Sequence, residues 1–332
     1  MTAPNPITCS VPFDEDGAHH GVLSLPASRE DSAWGLVQIP ISVFRNGEGP
    51  TALLTGANHG DEYEGPIALQ GLAHDLRASD ITGRVIIVPY MNYPAFLAAR
   101  RLSPLDGLNM NRIFPGKPAG SATEKIADFF LTKLIPLADV VLDFHSGGKS
   151  LDFVPFAAAH RLDNAAQEAA CIAAMEAFGA PYSMTLREID AAGMYDTAVE
   201  QAGKTFVTTE LGGGGSATAT SVGIARRGLE NLLKHAGILP GAPARQETIK
   251  IDTTEAGCFH FAPCEGMLEM LVDLGAEVMT GDQIAQIWSL YGVGDAPATV
   301  HSTQTGILAA RHFPGLIKPG DCLAVVATTP DA

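Results

Sequence analysis

The chain has 332 residues, 46% of them hydrophobic and 17% charged, a composition too apolar and too weakly charged for a disordered polymer. Thirty-seven acidic against 21 basic side chains leave a formal net charge of −16, which repels phosphate backbones and anionic headgroups and argues against nucleic acid and membrane partners. No apolar run approaches the roughly 20 residues of a membrane-spanning helix.

The length allows one large or two modest domains. Five scattered cysteines, Cys9, Cys171, Cys258, Cys264 and Cys322, include no CxxC pair and argue against a disulfide framework or a thiolate zinc site. The first twenty residues contain no basic stretch leading into an apolar run, so no secretory signal is expected and a cytoplasmic location is. The acidity suits a solubility adaptation or a cationic substrate, and composition does not choose between them.

From Ser32 to Gly237 short apolar runs alternate with longer helical ones, the pattern of a mostly parallel sheet with helices on both faces. In chain order the expected elements are strands Gly35–Phe44 and Thr51–Ala57, helix Glu62–Ala78, strand Arg84–Tyr90, helix Glu124–Leu137, strand Val140–His145, helix Asn164–Phe178, strand Thr205–Glu210 and helix Ser221–His235. Ser121 followed by Glu124 is a capping-box signature before the second helix. At Ile238–Gln246, ILPGAPARQ, two prolines and a glycine end helix compatibility. The division drawn there gives a catalytic α/β domain over residues 1–240, with an N-terminal β segment, and a β-barrel or sandwich cap over 241–332. In the cap EVMTGDQIAQI (Glu277–Ile287) echoes LIKPGDCLAVV (Leu316–Val326). The echo resembles the two halves of biotinyl or lipoyl carrier barrels, but no lysine stands between two methionines.

Four stretches carry chemistry. In TGANHGDEYEG an apolar run feeds a turn and then His59 and Glu62, which on a first helical turn would point the same way and could share one ion. Alone, this spacing is weak and better suits a solvated helix start with a favourable acidic residue. VVLDFHSGG ends an apolar strand in His145, and KTFVTTELGGGG ends another in Glu210; parallel strands deliver such residues to the carboxyl edge of the sheet, where ligands bind. The four glycines Gly212–Gly215 suit backbone lying close to a ligand or a flexible loop. RRLSPLDGLNMNRIFPG concentrates Arg100, Arg101, Asn109, Asn111 and Arg112, donors suited to gripping a carboxylate. Two imidazoles and one carboxylate leave an open position on Zn²⁺, as in catalytic rather than structural sites. With a spare carboxylate as proton carrier the implied reaction is amide hydrolysis.

The ordered motifs HGDE (His59–Glu62), NRIFPG (Asn111–Gly116), DFHSG (Asp143–Gly147) and TELGGGG (Thr209–Gly215) resemble those of the succinylglutamate desuccinylase and aspartoacylase family, in the zinc carboxypeptidase clan. The resemblance implies one zinc ion per subunit held by His59, Glu62 and His145, with Glu210 as general base. It implies that Asn111 and Arg112 bind the substrate carboxylate and that Arg101 polarises the scissile carbonyl, with Arg100 a competitor for that role. It also implies a C-terminal β domain beside the site mouth and a small N-acyl amino acid as substrate. Members acting on acidic substrates hold a second carboxylate with a tyrosine and a following arginine. Here Tyr195 stands for the first, while Asp196, Glu200 and Gln201 occupy the region of the second. An acidic residue there, Asp196, suits an amine-bearing side chain. Arg100–Gly116 resembles the branch of the family that hydrolyses Nα-acetyl-L-2,4-diaminobutyrate to acetate and L-2,4-diaminobutyrate in ectoine degradation. The alternatives are a desuccinylase or aspartoacylase acting on an acidic substrate, a peptide carboxypeptidase, and a non-catalytic metal-binding protein. Association into a homo-oligomer is left open.

Overall fold

The computed structural model describes residues 4–30, 32–186 and 192–329. The chain begins with three strands, β1 (Thr8–Cys9), β2 (Gly17–Pro26) and β3 (Leu36–Asn46), joined as antiparallel neighbours. It continues through β4 (Thr51–Gly56), α1 (Glu64–Asp75), β5 (Gly83–Val88), α2 (Tyr93–Leu97), α3 (Ala122–Phe129), β6 (Val140–His145), β7 (Leu151–Phe153), β8 (Phe156–His160), α4 (Ala165–Phe178), β9 (Tyr182–Leu186), α5 (Tyr195–Gln201), β10 (Thr205–Glu210), α6 (Ala219–His235) and β11 (Ile249–Ile251). Ten of these strands form one mixed sheet in the order β1-β2-β3-β5-β4-β6-β10-β8-β9-β11. Its centre, β5-β4-β6-β10, is parallel.

Alternation along the central strands supplies both faces of the sheet. Leu54, Leu142 and Val207 face α1, α4 and α6, whose Leu69, Met175 and Leu229 join them in one buried cluster. Their chain neighbours Leu53, Val141 and Phe206 face the other way, into a cluster with Ile126 of α3 and Val199 of α5. The expected α/β architecture with helices on both faces is therefore present, and β6 and β10 have the expected bounds. The Ser121–Glu124 capping box forms. The helix it starts is regular only to Phe129, then widens into a π-helical turn over Phe130–Leu134 and a 3-10 turn over Ile135–Leu137. Pro136 lacks the N–H a regular α-helix would need there.

After α6 come β12 (Phe259–Phe261), β13 (Gly266–Met270), β14 (Glu277–Val278), β15 (Gln283–Trp288), β16 (Ala298–His301), β17 (Gly306–His312), β18 (Leu316–Ile317) and β19 (Cys322–Ala327). They form two antiparallel sheets, β12-β19-β17-β14 and β16-β15-β13-β18, around Ile284, Ile287, Leu308, Leu323 and Val326. The internal echo has a structural meaning. Gly281 and Gly320 both take positive φ, and the following Asp282 and Asp321 accept from the amides of Met279 and Lys318 at 2.8 and 2.9 Å. Each half sends its two strands to opposite sheets, β14 and β19 to one, β15 and β18 to the other. The position 240/241 lies between α6 and β11, so β11 is an edge strand that the chain adds to the large sheet on its way to the β region. In the opposite direction, β7 leaves the large sheet's part of the chain to pair with β17.

Two glycines of α6 make contrasting tests of this packing. A Cβ on Gly228 would lie 2.2 Å from the fully buried ring of Phe178, whereas a Cβ on Gly223 meets only the flexible end of Arg227 at 3.4 Å. Chemical denaturation should show Gly228→Ala destabilised by about 1–3 kcal/mol through overpacking and Gly223→Ala unchanged or stabilised by up to about 1 kcal/mol through helix propensity.

Candidate active site

The parallel register brings the ends of three strands level. Gly56 of β4 lies opposite Phe144 of β6, and His145 at the end of β6 lies opposite Glu210 at the end of β10. His59 and Glu62 follow β4, but on a turn before α1 rather than on the first helical turn expected, because α1 begins only at Glu64. The cause is non-local. Gly60 N–H donates to the carbonyl of Arg100 at 3.0 Å, and a Cβ on Gly60 would lie 2.0 Å from the backbone of Ala95. The turn is pressed flat against the neighbouring segment and cannot wind into the helix.

On this turn Glu62 Oε1 lies 2.8 Å from His59 Nδ1, and Oε2 lies 3.0 Å from His145 Nδ1. One donor atom from each of the three falls within 4.8 Å of the others. The partners of the rings fix their tautomers. His59 Nε2 faces Asn109 Oδ1 at 3.1 Å, an acceptor, while Arg101 Nη1 donates towards His59 Nδ1 at 3.3 Å. His145 Nε2 faces Asp143 Oδ2 at 2.9 Å. Both Nε2 atoms thus carry protons, and both Nδ1 lone pairs point at a carboxylate. Three electron-rich groups converging in a buried place repel one another unless a cation sits among them, and a divalent ion fits this donor set.

Without an ion, protons answer the same demand. Burial pulls His145 down, but Glu62 and Asp143 more than offset it and hold the imidazole well above its ordinary value. Burial pushes Glu62 up, and the two imidazoles outweigh that and hold its carboxyl well below the usual range. For His59 burial prevails and lowers the pKa despite Glu62. Glu210 goes the other way, pushed up to about 8 by burial and by the Glu62 charge. Its Oε2 is buried without a hydrogen-bond partner among the described residues.

His59, Glu62, His145 and Glu210 open on one cleft of about 290 Å³. The cleft also receives Arg101, Asn111 and Arg112, which the sequence singled out, and Asp196. Arg101 approaches Glu62 to 3.9 Å, whereas Arg100 is outside the cleft lining and serves through its backbone carbonyl. Asn111 Oδ1 accepts from the amide of Tyr195 at 2.9 Å, which leaves its NH₂ for a ligand, and Arg112 donates to the Asn111 carbonyl at 2.6 Å. Tyr195 does not fill the place considered for it. Its ring is fully buried against Phe114, Phe130 and Phe206, outside the cleft lining. Glu200 is engaged with His160, 2.8 Å away, and Gln201 is exposed.

Among the acidic residues around the histidines, Asp143 orients His145. It is itself held by Thr55 at 2.6 Å and Asn58 at 3.1 Å. Asp61 instead accepts from the amide of Lys149 at 2.9 Å and fastens the loop after His145. Glu64 is buried at the start of α1, where burial pushes it up to about 7. Sequence reasoning missed Asn109 as the His59 partner, Thr55 and Asn58 beneath Asp143, and the cleft residues Phe259, Ala309, Ala310 and Val325. The loop that holds Asn109 had been noted, but no local signal ties these residues to the site. Of the glycines after Glu210, Gly213 meets backbone: it bridges to Asp152 of β7, and a Cβ on it would lie 1.9 Å from the Leu151 carbonyl.

Comparison with known proteins agrees with this geometry. Residues 48–236 match the succinylglutamate desuccinylase/aspartoacylase catalytic domain. The chain is 51% identical over 326 residues, 98% of this chain and 95% of the relative, to the N-alpha-acetyl-L-2,4-diaminobutyric acid deacetylase of Halomonas elongata. Among solved structures, the product-bound ectoine utilization protein EutE (DoeB) of Ruegeria pomeroyi is 58% identical with a TM-score of 0.97, covering 98% of this chain and all of the other. A succinylglutamate desuccinylase from Silicibacter sp. TM1040 is 57% identical with a TM-score of 0.97, covering 99% of this chain and all of the other. The chain belongs to the succinylglutamate desuccinylase/aspartoacylase family, a family of hydrolases that cleave amide bonds.

Two measurements follow from the site's electrostatics. Asp143→Ala should weaken the affinity for added zinc by about 10–100-fold, read by competition with a chromophoric chelator. In the metal-free protein Glu210 has a folded-state pKa of about 8, raised above the ordinary 4.5. It therefore costs no stability below the unfolded value, and that advantage is lost as pH rises through the folded one. The wild type should lose stability relative to Glu210→Gln between pH 5 and pH 8. A gap in denaturation midpoints that stays constant over that window would contradict the assignment.

Proposed function

We propose that the chain is a zinc-dependent deacetylase that hydrolyses Nα-acetyl-L-2,4-diaminobutyrate to acetate and L-2,4-diaminobutyrate, a step of ectoine degradation. The observation that carries this reading is the convergence of His59, Glu62 and His145 beside Glu210 in a cleft that also holds Arg112, Asn111 and Asp196. In it, residues 1–240 are the catalytic domain and 241–332 the cap. His59, Glu62 and His145 would hold the zinc ion. When bound, zinc supplies a Lewis acid for the acyl carbonyl and lowers the pKa of water from 15.7 to about 7.

The chain's own groups do the rest. Arg112 and the Asn111 amide grip the α-carboxylate, and Arg101, reaching in beside His59, donates to the carbonyl oxygen as negative charge builds on it. Glu210 takes the proton of the attacking water and returns it to the departing nitrogen. Burial keeps its carboxylate weakly hydrated and basic enough for that exchange. Asp196 meets the cationic side chain of diaminobutyrate.

An acidic substrate fits less well. Among the described residues the only arginines or lysines lining the cleft are Arg101 and Arg112, both already assigned to the acyl carbonyl and the α-carboxylate, so a second carboxylate would lack a partner and would face Asp196. The likeness to a succinylglutamate desuccinylase makes that alternative the one to test. A panel of acetylated diaminobutyrate, ornithine and aspartate with succinylated glutamate should give the highest kcat/KM for acetylated diaminobutyrate. Faster turnover of either acidic substrate would sink this reading.

Glu210→Gln should keep zinc while kcat falls by about 10²–10⁴-fold, and His145→Ala should lose both metal and activity. Asp196→Asn should raise KM for acetylated diaminobutyrate more than for an acetylated amino acid with an uncharged side chain. Equal effects on the two would remove Asp196 from substrate recognition.

A further inference from the structure

The β region contributes an apolar wall to the cleft, and its strand register explains how. Phe259 of β12 lies opposite Val325 of β19, Val325 opposite Ala310 of β17, and Ala310 opposite Phe153 of β7. These four side chains form one continuous row across four strands, and all four line the cleft. Phe156 extends the row from the large sheet, its ring edge-on to Phe153 at 5.9 Å. The row carries no charge and no hydrogen-bonding side chain. Its place relative to the chemistry is fixed by backbone, because Phe153 N–H donates to the carbonyl of Gly212 at 3.1 Å, two residues after Glu210.

The inference rests on the reading above. Once the α-carboxylate is assigned to Arg112 and Asn111, the side-chain amine to Asp196 and the acyl carbonyl to Arg101, the alkyl end of the acyl group is the one end of the substrate without a partner, and it is apolar. A single acetyl methyl covers little of a wall made from Phe153, Ala310, Val325 and Phe259. We propose that this row is the acyl-binding wall, and that the enzyme also hydrolyses Nα-acyl diaminobutyrates with longer unbranched chains, from propionyl to hexanoyl. The balance is that of the acetyl reaction. Water adds its hydroxyl to the acyl carbon, the C–N bond breaks, a proton goes to the nitrogen, and a short-chain carboxylate leaves beside the free amino acid.

The test is kcat/KM of the zinc-loaded enzyme on the acetyl, propionyl, butyryl and hexanoyl derivatives, repeated for Phe259→Ala and Ala310→Val. Phe259 is 40% exposed, so its truncation does not hollow a core, and thermal melting checks that each variant is folded. The wild type should process the butyryl derivative within about tenfold of the acetyl one, where a pocket closed around a methyl would lose about 10-fold or more for each added methylene. Phe259→Ala, Ala310→Val or both should change the hexanoyl-to-acetyl ratio by about threefold or more, Ala310→Val downwards. A larger loss at butyryl in the wild type, or a ratio unmoved in both variants, overturns the proposal. Hydrolysis of the acetyl derivative alone overturns the wall and leaves the deacetylase reading standing. Inactivity on all four overturns both.

Discussion

The two histidine Nδ1 atoms, 2.8 and 3.0 Å from the oxygens of one nearly water-free carboxylate, set the constraint that the rest of the site obeys. Each Nε2 proton is anchored to an acceptor, Asn109 or Asp143, so neither ring can turn its lone pair away from Glu62 without losing a buried hydrogen bond. Such loss costs more than the bond is worth when made, because the stranded group is also without water. Thr55 and Asn58 hold Asp143 in turn, and both belong to β4 or the turn just beyond it. The strand that carries His59 towards the site therefore also orients the partner of His145. A positive charge between the rings is an electrostatic requirement of the fold, met by a metal or, without one, by a proton that His145 retains.

The same environment gives two glutamates opposite characters. Glu62 is buried and Glu210 half-buried with its Oε2 sealed from solvent, and desolvation alone would raise both. Glu62 lies between two imidazoles and is held in its charged form, whereas Glu210 feels Glu62 as a like charge and is pushed up to about 8. One carboxylate is suited to holding a cation and the other to carrying a proton, and the division comes from position. The register that sets Glu210 opposite His145 fixes that position to within one residue. A slip of one along β10 would turn the carboxylate to the opposite face of the sheet.

This logic also explains what could be read from the sequence. Val140–His145 and Thr205–Glu210 were legible because a buried parallel strand needs a nearly unbroken apolar run and ends where the first functional polar group stands. The cap's internal echo was legible because a Gly-Asp turn is a local device. The conformation around His59 was not, since the Arg100 carbonyl that captures the Gly60 amide lies forty residues away. Spacing could not separate Arg100 from Arg101 for the same reason: adjacent residues on an irregular loop differ only in what the loop packs against. Tyr195 carried a polar handle that suited a ligand, yet three phenylalanines from separate segments enclose it. Strands β8 and β9, FAAAH and YSMTL, have too little β-branched character to announce themselves and are held by their place in the sheet.

The β region is bonded to the loops after His145 and Glu210 rather than merely laid over them. β7 follows the His145 loop directly, pairs with β17 on one side and receives Gly213 on the other. Gly147 and Phe153 both donate to the Gly212 carbonyl, at 2.9 and 3.1 Å, and Arg311 of β17 pairs with Asp152 at 3.0 Å. The loop after His145, the loop after Glu210 and the wall of the cleft thus share one hydrogen-bonded seam. Gly213 is needed there because any side chain would strike the Leu151 carbonyl. A displacement of β17 would therefore be felt at Glu210 through three or four backbone bonds, without any contact of its own to the reacting groups. This makes the β region part of the geometry of the site as well as of access to it, since the seam that closes the cleft also sets the distance between Glu210 and the His59, Glu62 and His145 cluster.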